Sequence, residues 1–566
     1  MKLKKGILVF ILLSFITSIF ISPAVHGGER GDIATAGDEA DILVYGGELG
    51  AISSAITAAA ETPEARVALV IPYTSPLYGG LAAAGGQNFW DLRFRPGENK
   101  PVQQGSFARW LEQTGRYYNT NMFSRILEEE VKGNENITVY PSMDILDVEK
   151  DSQGRILKLT LQEIKRESES GRIIWGEKKQ QIEAEIFIDG SMDGRLARLA
   201  EVPLVTGRKD WPGMDTIDGE SNFSQQAATL MFKVTGVRPA EYGDMIFHRA
   251  PDGSVGAYGG SASLADDPII KSFNEKYGPQ GFALKPLNAA QNGVYSQEFW
   301  VNALLVFKVD GRAHYRDRDT ENYPSDKEAG SLETDEAWAR AREVLLQEEF
   351  LEAFRQFPGF SEAHLVLDQN GEPITGDMLY LRETVHASKI PTDKNKDSFG
   401  ERDFTITPDM VYAAGTGPEN GADQSNYPTR IGLGYYWLDI NAYEYQDMKD
   451  EKGSPVWPVT QFLRPEFKRI VPGPGGLPSQ PVYIPFEALH SQSVPNLLLP
   501  GYAAGISSFA WSALRVLPCI TVMGDAAGVG AAHSFREGLD PADFSDEDIE
   551  KIQHILRTKF NALLDK

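Results

Sequence analysis

One cysteine, Cys519, stands in a chain of 566 residues. A single thiol excludes an intramolecular disulfide and every Cys-rich zinc or iron–sulfur site. Basic residues are also scarce, 55 Lys and Arg against 80 Asp and Glu, for a formal net charge of -25. A surface of that sign repels phosphate backbones, which argues against general nucleic-acid binding. The apolar run at 7–21 has 15 residues, short of the ~20 that a spanning helix needs. HExxH, P-loop and GxSxG elements are missing, and no spacing suggests a metal site. Hydrophobic residues at 42% and charged residues at 24%, with 54 Gly and 33 Pro, are ordinary globular values. They argue against disorder, a collagen-like repeat and a multi-span membrane protein. The length suits three or four domains, or one large enzyme with interleaved domains.

What is present begins at the N-terminus. Lys2, Lys4 and Lys5 precede the apolar run, and Ser22, Pro23 and Ala24 follow it. That is the order of a secretory signal with Ala24 at the cleavage point. No Arg-Arg pair precedes the run and no cysteine follows it, which argues against twin-arginine export and lipoprotein anchoring. Residues 1–24 are therefore expected to be a signal peptide and 25–40 a flexible lead-in. The mature protein is expected to be exported (extracellular, periplasmic or cell surface), with no integral membrane domain beyond the signal segment.

From Asp41 the pattern is strand (ILVY, 42–45), glycine turn (GGELG, 46–50), Ala-rich helix and strand (RVALVI, 66–71). This βαβ order is usual at the start of dinucleotide enzymes. Residues 137–188 read as a β-meander returning to a buried strand at 186–188. The richer mixture of Pro, aromatics and charge from 207 to 480 reads as a separate lobe, with one amphipathic helix over 334–357. Beyond 480 come a buried strand near 496–500, a small-residue helix over 516–532 and a terminal helix over 545–562. The expected domains are 41–206, 207–480 and 481–566.

A phosphate-binding turn uses glycines for tightness, for close backbone approach and for helix–strand packing. Gly46 suits the first role and Ala51 the third, while Glu48 puts a carboxylate in the middle position. Ile71 ends the second strand where a ribose-binding acid is expected. The same Gly-Gly also reads as a plain turn between strand and helix. The motifs continue in order: YGGL at 78–81, GGQNFWD at 85–91, FIDGSMDG at 187–194, and RVLP at 515–518 leading to GDAAG at 524–528. Between them lie TLMF at 229–232, FPGF at 357–360, LRET at 381–384, IGLG at 431–434 with Asp439 and Ile440, and YIPF at 483–486.

In this order the chain, from about 41 to 540, resembles the FAD-dependent oxidoreductase family. Its members carry an N-terminal DVVVYGG-type βαβ and a C-terminal RVMP…MGxAAG helix. The resemblance implies a glutathione-reductase-like α/β fold. A Rossmann-like FAD-binding domain (βαβ with β-meander) would be formed by both chain ends around an inserted α+β substrate lobe. It implies that Gly46, Gly47 and Ala51 approach the diphosphate, and that Gly79, Gly80 and Leu81 line the ribityl and diphosphate region. Ile145 in SMDILDV would offer backbone groups to adenine, and Asp189 would end the strand beside the first turn. Gly524, Asp525, Ala526 and Gly528 would place a helix N-terminus near the pyrophosphate and flavin O2 edge, Asp525 accepting from a ribitol hydroxyl. GDAAG also reads as close helix packing through small residues.

For chemistry on a small-molecule substrate the candidates are His386, Arg382 and Asp91, with Asn88 and Arg515 beside them. His386 reads either as a base or as a satisfied histidine, and Arg382-Glu383 either as a substrate group or as an ion pair joining the lobes. Cys519 reads as a buried small hydrophobe. The aromatic run at 434–439 suits either packing or stacking on a substrate. Asp393 to Asp397 lack the glycine and glutamate of a calcium loop and read as solvated. The resulting expectation is an exported FAD enzyme of two-electron (hydride) chemistry on a small organic substrate, with an unidentified electron acceptor. A flavin-free member that binds or cleaves extracellular polysaccharide is the alternative, and a surface-attached interaction protein on the same scaffold is a second one.

Overall fold

Short apolar runs broken by glycine turns build the first sheet. The computed structural model describes residues 39–565 except 99, 211–224, 241–242, 388–404, 407–409, 412–426, 451, 458–477 and 479. The expected signal peptide, nearly all of the lead-in and the loop from Asp393 to Asp397 lie outside the described residues.

The entirely buried strands β1 (Ile42–Tyr45) and β2 (Val67–Ile71) flank helix α1 (Leu49–Glu61) and pair in parallel. Helices α2 (Gly105–Thr114) and α3 (Thr120–Lys132) lead to β3 (Ile137–Pro141), which joins β2 in parallel. Strands β4 (Met143–Lys150), β5 (Ile156–Arg166) and β6 (Ile173–Glu183) form their own antiparallel sheet. The chain then returns as β7 (Ile186–Asp189), parallel to β1 with Asp189 opposite Tyr45. Helix α4 (Arg195–Leu199) and strand β8 (Leu204–Thr206) follow.

The middle of the chain supplies a second, antiparallel sheet. Its strands are β9 (Ala228–Thr235), β10 (Ile246–Arg249), β11 (Val255–Gly259), β12 (Phe282–Gln291), β13 (Phe299–Val306) and β14 (His364–Leu365), in the order β10-β11-β12-β13-β9-β14. Helices α5 (Ser261–Asp266), α6 (Pro268–Tyr277), α7 (Thr334–Leu345) and α8 (Glu348–Phe354) accompany it. The single helix expected over 334–357 is thus two. The break sets the Phe350 and Phe354 rings against Phe232 at centroid distances of 5.3 and 5.4 Å, a packing gain that continuous periodicity does not encode.

Strand β15 (Val385–Ala387) pairs with β8, and β16 (Arg430–Gly434) with β17 (Val482–Pro485). Finally β18 (His490–Ser491) and β19 (Val494–Leu498) complete the first sheet as β18-β19-β7-β1-β2-β3. Helices α9 (Ser508–Leu514), α10 (Leu517–Glu537) and α11 (Asp546–Lys559) close the chain. Among the described residues no single helix is long and apolar enough to cross a membrane.

The fold is α/β, and α1 packs on α10 although they come from opposite ends of the chain. Small residues permit the approach. Ser54 Oγ donates to the Gly524 carbonyl at 2.9 Å, and Ser53 Oγ to that of Thr521 at 3.3 Å. A Cβ on Gly528 would collide with Thr57 Oγ1 and the Ser54 carbonyl oxygen, and one on Gly524 with Ser53 Oγ and the Gly50 carbonyl. Gly528→Ala is therefore expected to destabilise by roughly 2–3 kcal/mol, since overpacking against backbone outweighs alanine's better helix propensity. A denaturant midpoint at or above that of the native chain would contradict this packing role.

Candidate functional site

The second sheet is irregular in its two longest-paired central strands. Register shifts occur in β12 between Leu284 and Asn288 and in β13 between Val301 and Leu304. Bulges re-aim side chains, and Pro286 has no N–H for the ladder. In this gap Lys285 is buried, its ammonium donating to the carbonyls of Asn302 at 3.0 Å and Pro286 at 3.1 Å.

Lys285 and Asn302 line a cavity of about 430 Å³ together with Gln87, Asp91, Arg382 and Arg515, walled by Tyr380, Tyr436, Trp437 and Trp457. That volume lies within the range of small-ligand sites. Arg382 donates to the Ala227 carbonyl and, at 2.8 Å, to Thr229 Oγ1. Arg515 donates to Tyr380 Oη and, at 2.9 Å, to Asp439. Tyr436 Oη donates to Asp91 at 3.2 Å. Burial, with Arg382 and Arg515 nearby, pushes the Lys285 ammonium down to about 7, so near neutrality it readily releases its proton. Burial also brings Arg382 down to about 10, helped by Arg515, and raises the Asp91 carboxyl. Among the described residues neither Lys285 nor Arg382 has a carboxylate within ion-pair distance. The Asn302 Oδ1 and Gln87 Oε1 atoms are buried without a partner.

Of the three catalytic candidates, Arg382 and Asp91 thus meet in one cavity. His386 does not line it. It is buried in β15 opposite Val205, in a two-stranded pairing with β8. Glu383 accepts from Ser508 Oγ and the Gln226 N–H, so it is not the ion-pair partner of Arg382. Lys285 escaped the sequence reading. Its signal there is a lysine–proline step inside a largely apolar strand.

The cofactor candidates gather around the ends of β1 and β2. Gly46 holds φ +131°, which glycine tolerates, and a Cβ there would press on Gly190 and Ala51. A Cβ on Gly190 would in turn lie 2.6–2.7 Å from Ala51, so Ala51 packs α1 closely on β7. Asp189 accepts from Ser191 N and Oγ and from Ala197 N, securing the turn after β7. The structure moves the second helix N-terminus away from the expected place, because α10 begins at Leu517 and Gly524, Ala526 and Gly528 lie in its interior against α1. Asp525 faces the N-terminus of α2 instead, accepting from Ser106 N at 2.8 Å and Oγ at 2.6 Å. Burial raises both Asp189 and Asp525 to about 6, against these hydrogen bonds. Cys519 is buried in the first turn of α10, and burial pushes its thiol up to about 12.

A flavin dinucleotide needs bare backbone at this turn. The frame offers it: α1 starts without a side-chain cap and has no acid in its first turn. Within the frame, however, the side chains of Glu48 and Tyr73 lie against this turn. Glu48 is 4% exposed and its carboxylate accepts from Leu81 N at 2.9 Å and Tyr73 Oη at 2.7 Å. A Cβ on Gly80 would strike that carboxylate, and one on Gly47 would lie 2.5 Å from the Tyr73 ring. Burial lifts the Glu48 carboxyl to about 7 in spite of its two donors. Farther along, the Ile145 N–H donates to Asp144 and its carbonyl accepts twice from Arg195. The cavity between Tyr45, Tyr73 and Asp144 measures about 90 Å³.

No curated protein sequence is similar to the chain. Among solved structures, the myxobacterial chondrochloren halogenase CndH is 13% identical, with 60% of this chain and 64% of that chain covered and a TM-score of 0.30. The p-nitrophenol 4-monooxygenase PnpA from Pseudomonas putida DLL-E4 is 8% identical, with coverages of 58% and 66% and a TM-score of 0.25. A flavoprotein/dehydrogenase from Cytophaga hutchinsonii is 12% identical, with coverages of 59% and 65% and a TM-score of 0.28. The chain spans less than two thirds of each of these proteins. The family described as FAD dependent oxidoreductase, in contrast, matches residues 41–556, nearly everything after the lead-in. With that match the chain belongs to the FAD-dependent oxidoreductase family, enzymes whose cofactor is FAD.

Proposed function

We propose that the protein is an exported oxidoreductase acting on a small organic anion, a carboxylate that also carries a hydroxyl or amine at the carbon to be oxidised. The observation that carries this reading is the Arg382 guanidinium, buried at a cavity wall without a carboxylate partner among the described residues. A buried cation without a counterion is costly unless a ligand supplies one. Arg382 binds the carboxylate and Arg515, already neutralised in part by Asp439, orients it. Lys285 in its free-amine form takes the hydroxyl or amine proton at Nζ. Tyr436, Trp437 and Trp457 keep water from the substrate. Two-electron transfer is the chemistry FAD supplies to this family. Export rests on the basic and apolar segments at the N-terminus.

Matched pairs of 2-hydroxy or 2-amino carboxylates and their neutral amides test this reading, scored by thermal shift and by turnover with an artificial electron acceptor. Acids are expected to bind and turn over, and amides are not. The rate is expected to rise with pH through about 7 as Lys285 loses its proton. Lys285→Met should lose that rise and fall by about 10²–10⁴-fold. Equal binding of acids and amides, or an unchanged pH profile in the variant, would refute it.

A further inference from the structure

The diphosphate cradle described above is filled by the protein itself. Glu48 sits at the N-cap of α1 and reaches across to Leu81 N–H, a donor expected to serve the cofactor. Tyr73 follows the end of β2, lies over Gly47 and holds the Glu48 carboxylate from its other side. The two side chains thus cover both backbone surfaces that a diphosphate must touch. At the adenine end Ile145 has no backbone group to spare, since its N–H and carbonyl are taken by Asp144 and Arg195. The cavity beside Tyr73 and Asp144 holds about 90 Å³, far below the ~300 Å³ at which small-ligand sites begin.

We propose that Glu48 and Tyr73 form an internal stopper in the diphosphate position, so that FAD and the closed stopper exclude one another. The carboxylate acts as a built-in ligand. It satisfies a buried N–H that would otherwise be costly to leave unpaired, so the chain folds with the site closed. A cofactor diphosphate meets both a steric and a like-charge obstacle until Glu48 turns away. The wild-type chain therefore binds FAD more weakly than its frame permits. This inference is independent of the substrate assignment, because it concerns cofactor uptake alone.

FAD titrated into the purified full-length protein, followed by flavin fluorescence and by melting temperature, tests it. Glu48→Gly removes the carboxylate at an N-cap position where glycine is tolerated. The variant is expected to bind FAD at least about tenfold more tightly than wild type, a like-charge contact being worth that much or more, and to melt earlier without FAD. A residue with only a structural role would weaken both. Tyr73→Ala, which uncovers Gly47, should shift FAD affinity in the same direction. The proposal is overturned if wild type retains one FAD per chain through purification and neither variant binds more tightly. It is equally overturned by a wild-type complex with FAD in which Glu48 still accepts from Leu81 N–H, an observation that needs no variant to fold.

Discussion

Replacing Arg195 by methionine is expected to destabilise the protein by about 3–5 kcal/mol, the cost of breaking a buried ion pair from one side. Arg195 follows Gly194 at the start of α4 and is fully buried. Its guanidinium grips Asp317 at 2.5 and 3.0 Å, approaches Asp144 at 3.2 Å and donates to the Ile145 carbonyl at 2.8 Å. Arg316 binds the other oxygen of Asp144, so two arginines balance two aspartates in a buried cluster. Methionine fills the space and leaves one arginine for two carboxylates. Burial by itself would raise the Asp317 carboxyl, yet Arg195 and Arg316 hold it down to about 2. A depressed carboxyl stabilises above its unfolded value near 4, and that stability disappears as pH falls through about 2. This depression contributes about 2 kcal/mol of stability at neutral pH. The Arg195→Met variant should lose most of this acid dependence in denaturation midpoints measured between pH 6 and pH 2. Arg195→Met with Asp317→Leu, which removes one charge of each sign, should recover much of the loss. A single variant as stable as wild type would remove the cluster from any account of how β4, α4 and the turn at 315–317 are held together.

Arg382→Ala is expected to weaken binding of the anionic substrate by about 10²–10³-fold, the range for truncating one partner of a buried charge pair. Arg382→Lys should restore only part of this. An ammonium cannot donate to the Ala227 carbonyl, Thr229 Oγ1 and a carboxylate in the same planar geometry. A second readout separates this role from simple packing. Because Arg382 helps keep the Lys285 ammonium below its ordinary value, its loss should move the pH-dependent rise in rate above about 7. Unchanged affinity for carboxylates together with an unmoved pH profile would count against Arg382 as the anion-binding group.

Much of the frame was legible because it depends on local pattern. All-buried runs at 42–45, 67–71 and 186–188 are apolar, as a strand covered on both faces must be. Glu48 and Ile71 stood out as misfits from spacing alone. What Glu48 does instead depended on Tyr73 and Leu81, 25 and 33 positions away. GDAAG illustrates a different limit. Small residues suit both a phosphate approach and a helix contact, and only the position of α1 decides that Gly524 and Gly528 serve the latter. His386 was attractive as a histidine near LRET, but residues 380 and 382 face the large cavity while His386 continues into β15.

The amino-acid order by itself determined the parallel strands, the crossing helix and the family, since hydrophobic period and turn chemistry act between near neighbours. Only the tertiary structure decided where charge lies bare. Lys285, Arg382 and Arg515 are brought to one cavity by a bulged strand and by two segments 97 and 230 positions beyond Lys285 in the chain. Burial, which shifts protonation and makes an unpaired cation or carboxylate consequential, is a property of the assembled core and not of any stretch of chain.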